Sequence, residues 1–391
     1  MSTILSNRVQ KIKPSATLAV SDKAKQLNAQ GVQIVSMGSG EPDFDTPVNI
    51  QKAATQAIGA GETRYTAVDG TPQLKKAICE KFKRENGLDY SVNEVMVSSG
   101  GKQVFYNLCQ AILNKGSEVI IPAPYWVSYP DIAILADATP VFIEAGLEQE
   151  FKITAEQLES SINANTKLFV LNSPSNPTGA VYTKSEIESL GAVLERHPQV
   201  NVISDDIYEH IRWEDDEFVN IAMACPNLKD RTIILNGVSK AYAMTGWRIG
   251  YAAGPEDIIK AMKKIQGQST SNPSSISQAA ALEAISGDQS FINMMVEAFE
   301  RRHNFLVDSL NAIDGIECPQ SRGAFYSFPR VQGLIDRLGL KDDVEFSTYC
   351  LDKISLALVP GSAFGAPGYV RLSFATSMDN LKLAIERLSN I

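Results

Sequence analysis

Lys240 is the residue whose type and position most directly suggest chemistry. It follows an apolar run at residues 232–235 and a turn of small residues, and Arg248 stands eight residues further on. An amine at the carboxyl end of a buried strand lies where open α/β sheets bind their ligands. Such a lysine can form an imine with an aldehyde if its pKa falls from about 10.4 towards neutrality, which requires a desolvated or electropositive pocket. A lone lysine in such a position is more often an ordinary solvated loop residue, so its neighbours decide between the two.

A pair of glycines suggests a binding site for an anion. Gly100 and Gly101 lie between a predicted strand at residues 94–97 and a predicted helix that begins near Lys102. Backbone N–H groups at a helix start bind anions, and glycine allows a phosphate to approach closely. An ordinary strand-to-helix turn is the alternative. The planar guanidinium of Arg248 matches a phosphate as well.

Three segments of the sequence partly resemble common functional motifs but do not match them. The glycine pair is not a nucleotide P-loop, because Gln103 occupies the Ser/Thr position and the earlier glycine is missing. The glycines near residue 40 are not a dinucleotide fingerprint, because Asp43 stands where the third glycine should be. Residues 237–241 narrowly miss the G-x-S-x-G elbow, which disfavours hydrolase chemistry.

Five further side chains complete a possible site. Asp205 ends an apolar run, where a buried carboxylate needs a donor such as a protonated pyridine nitrogen; capping the next turn is the alternative. Tyr208 could donate to a phenolic oxygen on the same ring, and Trp126 could stack on the ring or belong to the core. Asn176 offers an amide donor or holds its own turn, while Arg371 in an apolar run requires a carboxylate partner. With the lysine, these groups complement pyridoxal phosphate carrying an amino acid.

Composition limits the class of protein. The chain has 391 residues, of which 44% are apolar and 21% charged, and a formal net charge of −9. This charge argues against nucleic acid or an anionic membrane as the main partner. No run approaches the roughly 20 apolar residues of a membrane helix, no residues suggest a metal site, and no signal peptide is recognisable. Because the five cysteines are scattered without C-x-x-C pairing, we expect reduced thiols and a cytoplasmic protein.

Alternating apolar runs and helical segments predict an α/β fold. The runs are rich in Val and Ile with little alternation, which is typical of central parallel strands covered on both faces. They lie at residues 94–97, 118–121, 167–171, 200–203, 232–235 and 248–252. Segments such as 103–113 and 184–195 have helical spacing between them.

Both chain ends differ from this central part. A helical stretch at residues 291–310 leads into shorter β-like pieces at 324–328 and 369–374. We therefore expect a large domain at residues 46–285 with a mostly parallel sheet flanked by helices. A smaller α+β domain would combine residues 1–45 and 286–391.

With these residues in view, the chain resembles the fold type I, class I pyridoxal-phosphate-dependent aminotransferases from about residue 5 onwards. Several motif matches in the same order carry the resemblance, where any single one would be weak. The matched positions are Gly40 in SGEPDFDTP, Tyr65 in RYTAVDG, Trp126 in PYWVSYP, Asn176 in NSPSNPTG, Asp205 and Tyr208 in SDDIY, Lys240 in SKAYAMTGWR and Arg371 in VRLSFA.

The resemblance implies roles for these residues. Lys240 would be the Schiff-base lysine and the proton shuttle between the substrate α-carbon and cofactor C4′. Asp205 would keep the cofactor ring cationic, with Tyr208 beside it. Arg371 would bind the substrate α-carboxylate, helped by Asn176, Trp126 and the Gly40 backbone.

Two positions bear on the phosphate group. Tyr65 is similar to a family tyrosine that crosses to the phosphate of the partner subunit, which implies a homodimer with shared sites. Gly237 is a departure, because many relatives have a phosphate-binding serine there. A donor is then missing at this position or is supplied elsewhere, for example by Ser239.

The substrate is indicated by one lysine. Residues 100–103 resemble the prokaryotic β subgroup of aspartate aminotransferases, in which the lysine, here Lys102, is associated with the distal carboxylate. The other subgroup uses an arginine from the partner's loop, and the matching residues 269–275 contain none. The resemblance therefore implies ping-pong exchange of aspartate and glutamate with 2-oxoglutarate and oxaloacetate. Lys13 resembles a position of subgroup members that also aminate prephenate.

Three alternatives stay open at this point. One is an aminotransferase of different specificity, for aromatic substrates, prephenate or alanine. Another is a carbon–sulfur β-lyase on the same scaffold. A non-catalytic regulator with the same fold is disfavoured, because the segment before the motifs is too short for a DNA-binding module and the charge is too negative.

Overall fold

A computed structural model describes residues 5–14, 16–213 and 216–391. These residues form fifteen α-helices, and none of them combines the length and the apolar character that crossing a bilayer requires. The helices are α1 Asn7–Lys11, α2 Ala16–Ala29, α3 Val48–Gly59, α4 Pro72–Asn86, α5 Gly101–Ile112, α6 Ser128–Leu135, α7 Ala155–Ser161, α8 Lys184–Glu195, α9 Ile221–Ala224, α10 Glu256–Gly267, α11 Ser275–Ser286, α12 Ser290–Asn311, α13 Gln332–Leu338, α14 Asp343–Ile354 and α15 Met378–Ser389.

Twelve strands are formed by the described residues. They are β1 Val35–Ser36, β2 Val95–Ser98, β3 Glu118–Ala123, β4 Thr139–Glu144, β5 Thr166–Asn172, β6 Asn201–Asp205, β7 Thr232–Gly237, β8 Gly250–Ala253, β9 Tyr326–Ser327, β10 Leu356–Ala357, β11 Val359–Pro360 and β12 Val370–Ser373. Seven of them form the main sheet in the order β2-β8-β7-β6-β5-β3-β4. Every residue of β2, β7 and β8 is buried, as expected for strands covered on both faces.

The α/β class and the mostly parallel sheet are confirmed. The six runs predicted as strands lie within two residues of β2, β3, β5, β6, β7 and β8. The expectation that all six are parallel is wrong for β8, which is antiparallel to β2 and β7. No α-helix lies between β7 and β8, so the chain turns back instead of crossing over. The sequence does not reveal β4, because this edge strand is half exposed and its apolar run is interrupted.

Local signals set the helix starts beside the sheet. Thr183 caps α8 by accepting from the Glu186 backbone N–H at 3.3 Å, while the Glu186 carboxylate accepts from the Thr183 N–H at 2.7 Å. Helix α5 begins after Gly100, whose φ of 91° is in the left-handed region that favours glycine. Its inner face packs Val104, Phe105 and Leu108 against the sheet, so its N-terminus is held at the carboxyl edge of β2.

A second core joins the two ends of the chain. Strand β1 pairs in parallel with β10, and β9, β12 and β11 form a small antiparallel sheet. Val35 and Met37 share one apolar cluster with the inner face of α12 and with α15. The helix predicted at 291–310 is confirmed as α12. The division at residues 45/46 and 285/286 stays a prediction.

A buried ion pair links the helices to the sheet behind the strand ends. The Lys81 ammonium contacts Glu209 Oε1, and it also donates to Asn86 Oδ1 at 2.9 Å. Asn236 near the end of β7 donates to the same Glu209 oxygen at 2.7 Å. Burial raises the pKa of Glu209, but the charges of Lys81 and His210 and the Lys81 hydrogen bond together outweigh this effect, and the net pKa lies below its usual value. The pair therefore ties α4, the segment after β6 and the end of β7 together.

Candidate active site

One cavity of about 430 Å³ lies at the carboxyl edge of the main sheet. Asn172, Asp205 and Gly237 are the last residues of β5, β6 and β7, so the turns that follow them meet at this edge. Most residues that the sequence predicts for the site line this one cavity. They are Gly40, Gly101, Lys102, Trp126, Asn176, Asp205, Tyr208, Ser239, Lys240, Arg248 and Arg371.

The Lys240 amine is held inside the cavity. It donates to the carbonyl oxygen of Gly40, and it lies 5.9 Å from the Tyr208 ring centre and 5.7 Å from that of Phe325. Burial and the positive charge of Arg371 lower the pKa of Lys240 to about 8. An amine with this pKa is partly neutral near physiological pH, so it can act as a base or nucleophile.

Asp205 places a carboxylate at the floor of the cavity. Its Oδ2 accepts from the Tyr129 hydroxyl at 2.5 Å, and its Oδ1 accepts from the Ile207 N–H at 3.3 Å. The second contact is the turn-capping role that the sequence left open. Burial raises the pKa of Asp205 to about 6, against the opposing effects of these two donors and of Lys240. No cation of the described chain forms a salt bridge with it, so a charged donor on a ligand would stabilise the ionised form.

Arg371 is buried without an anionic partner among the residues that the structure describes. Its Nη1 donates to Asn176 Oδ1 at 3.0 Å and its Nη2 to the Gly38 carbonyl at 2.9 Å, both of which are neutral acceptors. Its Nε has no hydrogen-bond partner, and only 2% of the residue is exposed. The Tyr326 and Phe364 rings pack 4.4 and 5.0 Å from the guanidinium carbon. A guanidinium in this environment is a strong binding site for a carboxylate.

Tyr208 is fixed by a second tyrosine. The two hydroxyl oxygens of Tyr208 and Tyr326 are 2.9 Å apart, and both rings are buried. Burial raises the pKa of Tyr208 well above its usual value. The phenol therefore stays protonated and can donate a hydrogen bond towards the cavity.

Donors of an anion site surround the start of α5. Arg248 donates through Nη1 to the Thr245 carbonyl at 2.8 Å, and its Nη2 lies 3.3 Å from the Ser99 carbonyl oxygen. A Cβ atom at Gly100 would lie 2.2 Å from Arg248 Nη2, so only glycine allows the guanidinium to reach the helix start. Ser239 also lines the cavity, and the first N–H groups of α5 have no partners within the helix. Together these groups can hold a phosphate.

Lys102 and Trp126 face each other across the cavity wall. The Lys102 amine lies 5.3 Å from the Trp126 ring centre, within the range of a cation–π contact. Partial burial and the neighbouring Arg248 charge lower the pKa of Lys102. Trp126 also packs edge-on against Tyr129, with ring centres 5.2 Å apart. Lys102 thus adds a cation to the cavity of its own chain.

A family model matches most of the chain. The model of the family "Aminotransferase class I and II" matches residues 32–388. The chain belongs to the aminotransferases of class I and II. An aspartate/prephenate aminotransferase of Nitrosomonas europaea is 57% identical over 99% of both chains. Another from Cereibacter sphaeroides is 54% identical over 98% of this chain and 97% of the relative.

Solved structures agree with this assignment. The aspartate aminotransferase of Rhizobium meliloti matches with a TM-score of 0.95 at 47% identity, covering 100% of this chain and 98% of that one. The enzyme of Thermus thermophilus with maleate matches with a TM-score of 0.94 at 43% identity over the whole of both chains. The fold expected from the resemblance is therefore confirmed.

Three predicted residues of this aminotransferase do not line the cavity of their own chain. Tyr65 is 92% exposed and borders a separate surface groove with Thr270 and Ser271. Lys13 is also exposed, and its backbone N–H lies 3.4 Å from Asp131 Oδ1. Gly100 does not line the cavity but stands directly behind Arg248. The roles given to Tyr65 and Lys13 stay predictions.

The departure at Gly237 has a steric cause. Gly237 is the last residue of β7 and is paired with Gly250 of β8. A Cβ atom there would lie 2.9 Å from the Ile249 carbonyl oxygen and 3.0 Å from the Gly250 Cα. A serine therefore does not fit without a shift of backbone. Ser239 and Arg248 remain as cavity donors close to it in sequence.

Several cavity residues of this aminotransferase were not found from the sequence. Tyr129 and Tyr326 make the hydrogen bonds to Asp205 and Tyr208 described above. Asn172 holds the Asn176 turn, since its Oδ1 accepts from the Asn176 N–H at 2.9 Å. Tyr129 stands three residues after Trp126, and this close spacing to a predicted site residue is a signal that could have indicated it. The remaining cavity residues that were missed include Asp22, Lys25, Glu41 and Thr245.

We expect Gly237→Ser to destabilise the protein by about 1–3 kcal/mol without strengthening cofactor binding, because the added atoms meet backbone. Urea unfolding and titration of the apoprotein with pyridoxal phosphate measure the two effects. Gly59→Ser is the control, since no atom lies within 4 Å of a Cβ there. Tighter cofactor binding by Gly237→Ser at unchanged stability would contradict the steric explanation.

Proposed function

We propose that this aminotransferase uses pyridoxal 5′-phosphate to exchange the amino group of aspartate with 2-oxoglutarate by a ping-pong mechanism. The observation that carries the proposal is the buried Arg371 guanidinium, whose described partners are all neutral. An amino acid offers the missing anion through its α-carboxylate. Lys240 and Asp205 line the same cavity, so a substrate held by Arg371 reaches both an amine and an acid.

The residues present fit the cofactor. Arg248, Ser239 and the start of α5 form a cradle for a phosphate, and a Cβ at Gly100 would displace the Arg248 guanidinium from it. Asp205 is a buried carboxylate that needs a charged donor, and a protonated ring nitrogen is such a donor. When bound, pyridoxal phosphate supplies an aldehyde and an electron-accepting ring. Tyr208 can donate to its phenolic oxygen, and Trp126 can cover one face of the ring.

Lys240 is suited to move the proton in the reaction. The lowered pKa of Lys240 allows its amine to take a proton from the substrate α-carbon and to hold it for the proton transfer that follows. Asp205 would pair with the ring nitrogen through its carboxylate charge. Arg371 and Asn176, which are joined by a 3.0 Å hydrogen bond, hold the carboxylate and so orient the α-carbon.

Dicarboxylate specificity is supported by Lys102. It adds a further cation to a cavity that Arg248 and Arg371 also line, and the matching Thermus structure contains maleate, a dicarboxylate. Prephenate is the second candidate substrate, because the relatives of 57 and 54% identity are named aspartate/prephenate aminotransferases. Prephenate also carries two carboxylates, so the same lysine could serve both. Lys13 would contribute to this second activity from outside the cavity.

We propose a homodimer in the cytoplasm. Tyr65 is 92% exposed and borders a surface groove rather than its own cavity, as expected for the family tyrosine that crosses to the phosphate of the partner subunit. A second copy would cover the ring and receive its hydroxyl at the phosphate. The five cysteines form no disulfide, which suits a reducing compartment.

We expect Lys240→Ala to lower turnover of aspartate by about 10²–10⁴-fold or more, because the proton-transferring amine is lost. Stopped assays with 2-oxoglutarate measure turnover, and the visible absorbance and covalent attachment of the cofactor should disappear in parallel. Lys184→Ala, which removes an exposed lysine, is the control. Turnover near the wild-type rate in Lys240→Ala would refute the assigned role.

Lys102→Ala should reduce kcat/KM for aspartate by about 10–100-fold while changing that for alanine less than about threefold. The reason is that only the dicarboxylate has a second anion for this amine. The comparison variant is Lys25→Ala, which removes a cavity lysine that has no role in the proposed mechanism. Equal losses for both substrates would mean that Lys102 does not select dicarboxylates. Prephenate, tested in the same panel, decides the second activity.

Sedimentation velocity should give about twice the mass of one chain. Tyr65→Phe should keep that mass but weaken binding of pyridoxal phosphate by about tenfold, since one hydrogen bond to an anion is lost. A single-chain mass, or unchanged affinity of the variant, would contradict the shared site.

A further inference from the structure

We propose that Tyr129 is a positioning residue that orients the Asp205 carboxylate and keeps it in its charged form for the cofactor. This inference rests on the proposed function, in which Asp205 pairs with the ring nitrogen. Tyr129 is not one of the residues that the sequence predicts for the site. Its place is behind the acid, on the first turn of α6.

The contact geometry carries the proposal. The Tyr129 hydroxyl donates to Asp205 Oδ2 at 2.5 Å, and the Ile207 N–H donates to Oδ1 at 3.3 Å. Each carboxylate oxygen therefore has one fixed donor from the protein. A carboxylate has about four acceptor directions, so the remaining ones can accept from a group in the cavity. The Tyr129 hydroxyl fixes the orientation of the Asp205 carboxylate and therefore of these remaining acceptor directions.

Packing fixes the tyrosine itself. The ring is 2% exposed and packs edge-on against Phe105 and Trp126, with ring centres 4.9 and 5.2 Å away. Its backbone N–H donates to the Trp126 carbonyl at 3.0 Å. One rigid residue therefore supports both the acid and the indole that borders the cavity.

Electrostatics give the hydroxyl a function beyond packing. Burial raises the pKa of Asp205, which favours the uncharged acid, and the Tyr129 donor and Lys240 oppose this effect. Tyr208 and Asp206 are the other titratable groups near the Tyr129–Asp205 pair. Burial raises the pKa of both, which favours their neutral forms. Burial also raises the pKa of Tyr129 well above its usual value, so it stays a donor. Removing the hydroxyl would therefore raise the pKa of Asp205 further.

The test is Tyr129→Phe, which keeps the ring and deletes the donor. Affinity of the apoprotein for pyridoxal phosphate is measured by fluorescence quenching from pH 5.5 to 9. In the wild type, affinity should fall as the pH drops through about 6, where Asp205 takes up a proton. In the variant this fall in affinity at low pH, the acid limb of the curve, should move up by about one to two pH units. This is the effect of one hydrogen bond to a charged group. The two proteins should differ tenfold or more at pH 6.5 and less than about threefold at pH 9.

A matched control separates this role from a structural one. Tyr182 is a buried tyrosine outside the cavity whose hydroxyl accepts from the Ile153 N–H at 2.9 Å. Tyr182→Phe should lower stability but leave the pH dependence of cofactor binding unchanged. In an Asp205→Asn background, Tyr129→Phe should produce no shift of the acid limb, because no carboxylate remains to titrate.

The outcomes distinguish the two proposals. A Tyr129→Phe curve that coincides with the wild type, or lies below it by one factor at every pH, would overturn the positioning role. A shift that persists in the Asp205→Asn background would overturn it as well. Failure of the wild-type apoprotein to bind pyridoxal phosphate at any pH would instead overturn the proposed function.

Discussion

A buried guanidinium with neutral partners is the interaction on which the architecture of this protein depends. Arg371 comes from the small antiparallel sheet, Gly38 from the amino-terminal part of the chain and Asn176 from the turn after β5, so their hydrogen bonds join three distant segments around one cavity. Burying a positive charge without a counter-charge is unfavourable. The favourable counterpart is a carboxylate delivered by a ligand. The hydrogen bonds of Arg371 thus join the segments around the cavity and also hold the guanidinium that can bind a carboxylate there.

The other charges of the cavity follow the same logic. Burial lowers the pKa of Lys240 and raises that of Asp205, so each group is less stable in its charged form than it would be in water. A ligand with a phosphate, a cationic ring nitrogen and a carboxylate relieves these penalties together. Binding of such a ligand stabilises the folded protein by mass action. The unfavourable electrostatics of the free site are therefore a source of affinity and of reactivity.

Support for the site comes from behind the sheet edge. Asp205 and Tyr208 follow β6, whereas Lys240 follows β7, and the strand ladder between them ends at Asp205 and Leu235. Beyond that point Glu209 accepts from Asn236, and the Lys81 ammonium completes the contact from α4. A buried pair of this kind is weak evidence for net stability, but it defines one arrangement of the groups around it. The turns that carry Asp205 and Lys240 are in this way connected to the same helix, α4.

The sequence by itself determined six of the seven strands of the main sheet, two of the helices between them and the segments that line the cavity. Burial on both faces leaves continuous apolar runs, and Asp205 and Lys240 follow such runs directly. Strand direction was not determined, because an apolar run has the same appearance in both directions; this is why β8 was misassigned. The sequence also did not predict the hydrogen-bond partners of the site residues, since Tyr129 and Asp205 are 76 residues apart and Tyr208 and Tyr326 are 118 apart. Only the tertiary structure decided these pairings, the steric need for Gly237 and the absence of a protein anion at Arg371, because each depends on how distant segments pack in space.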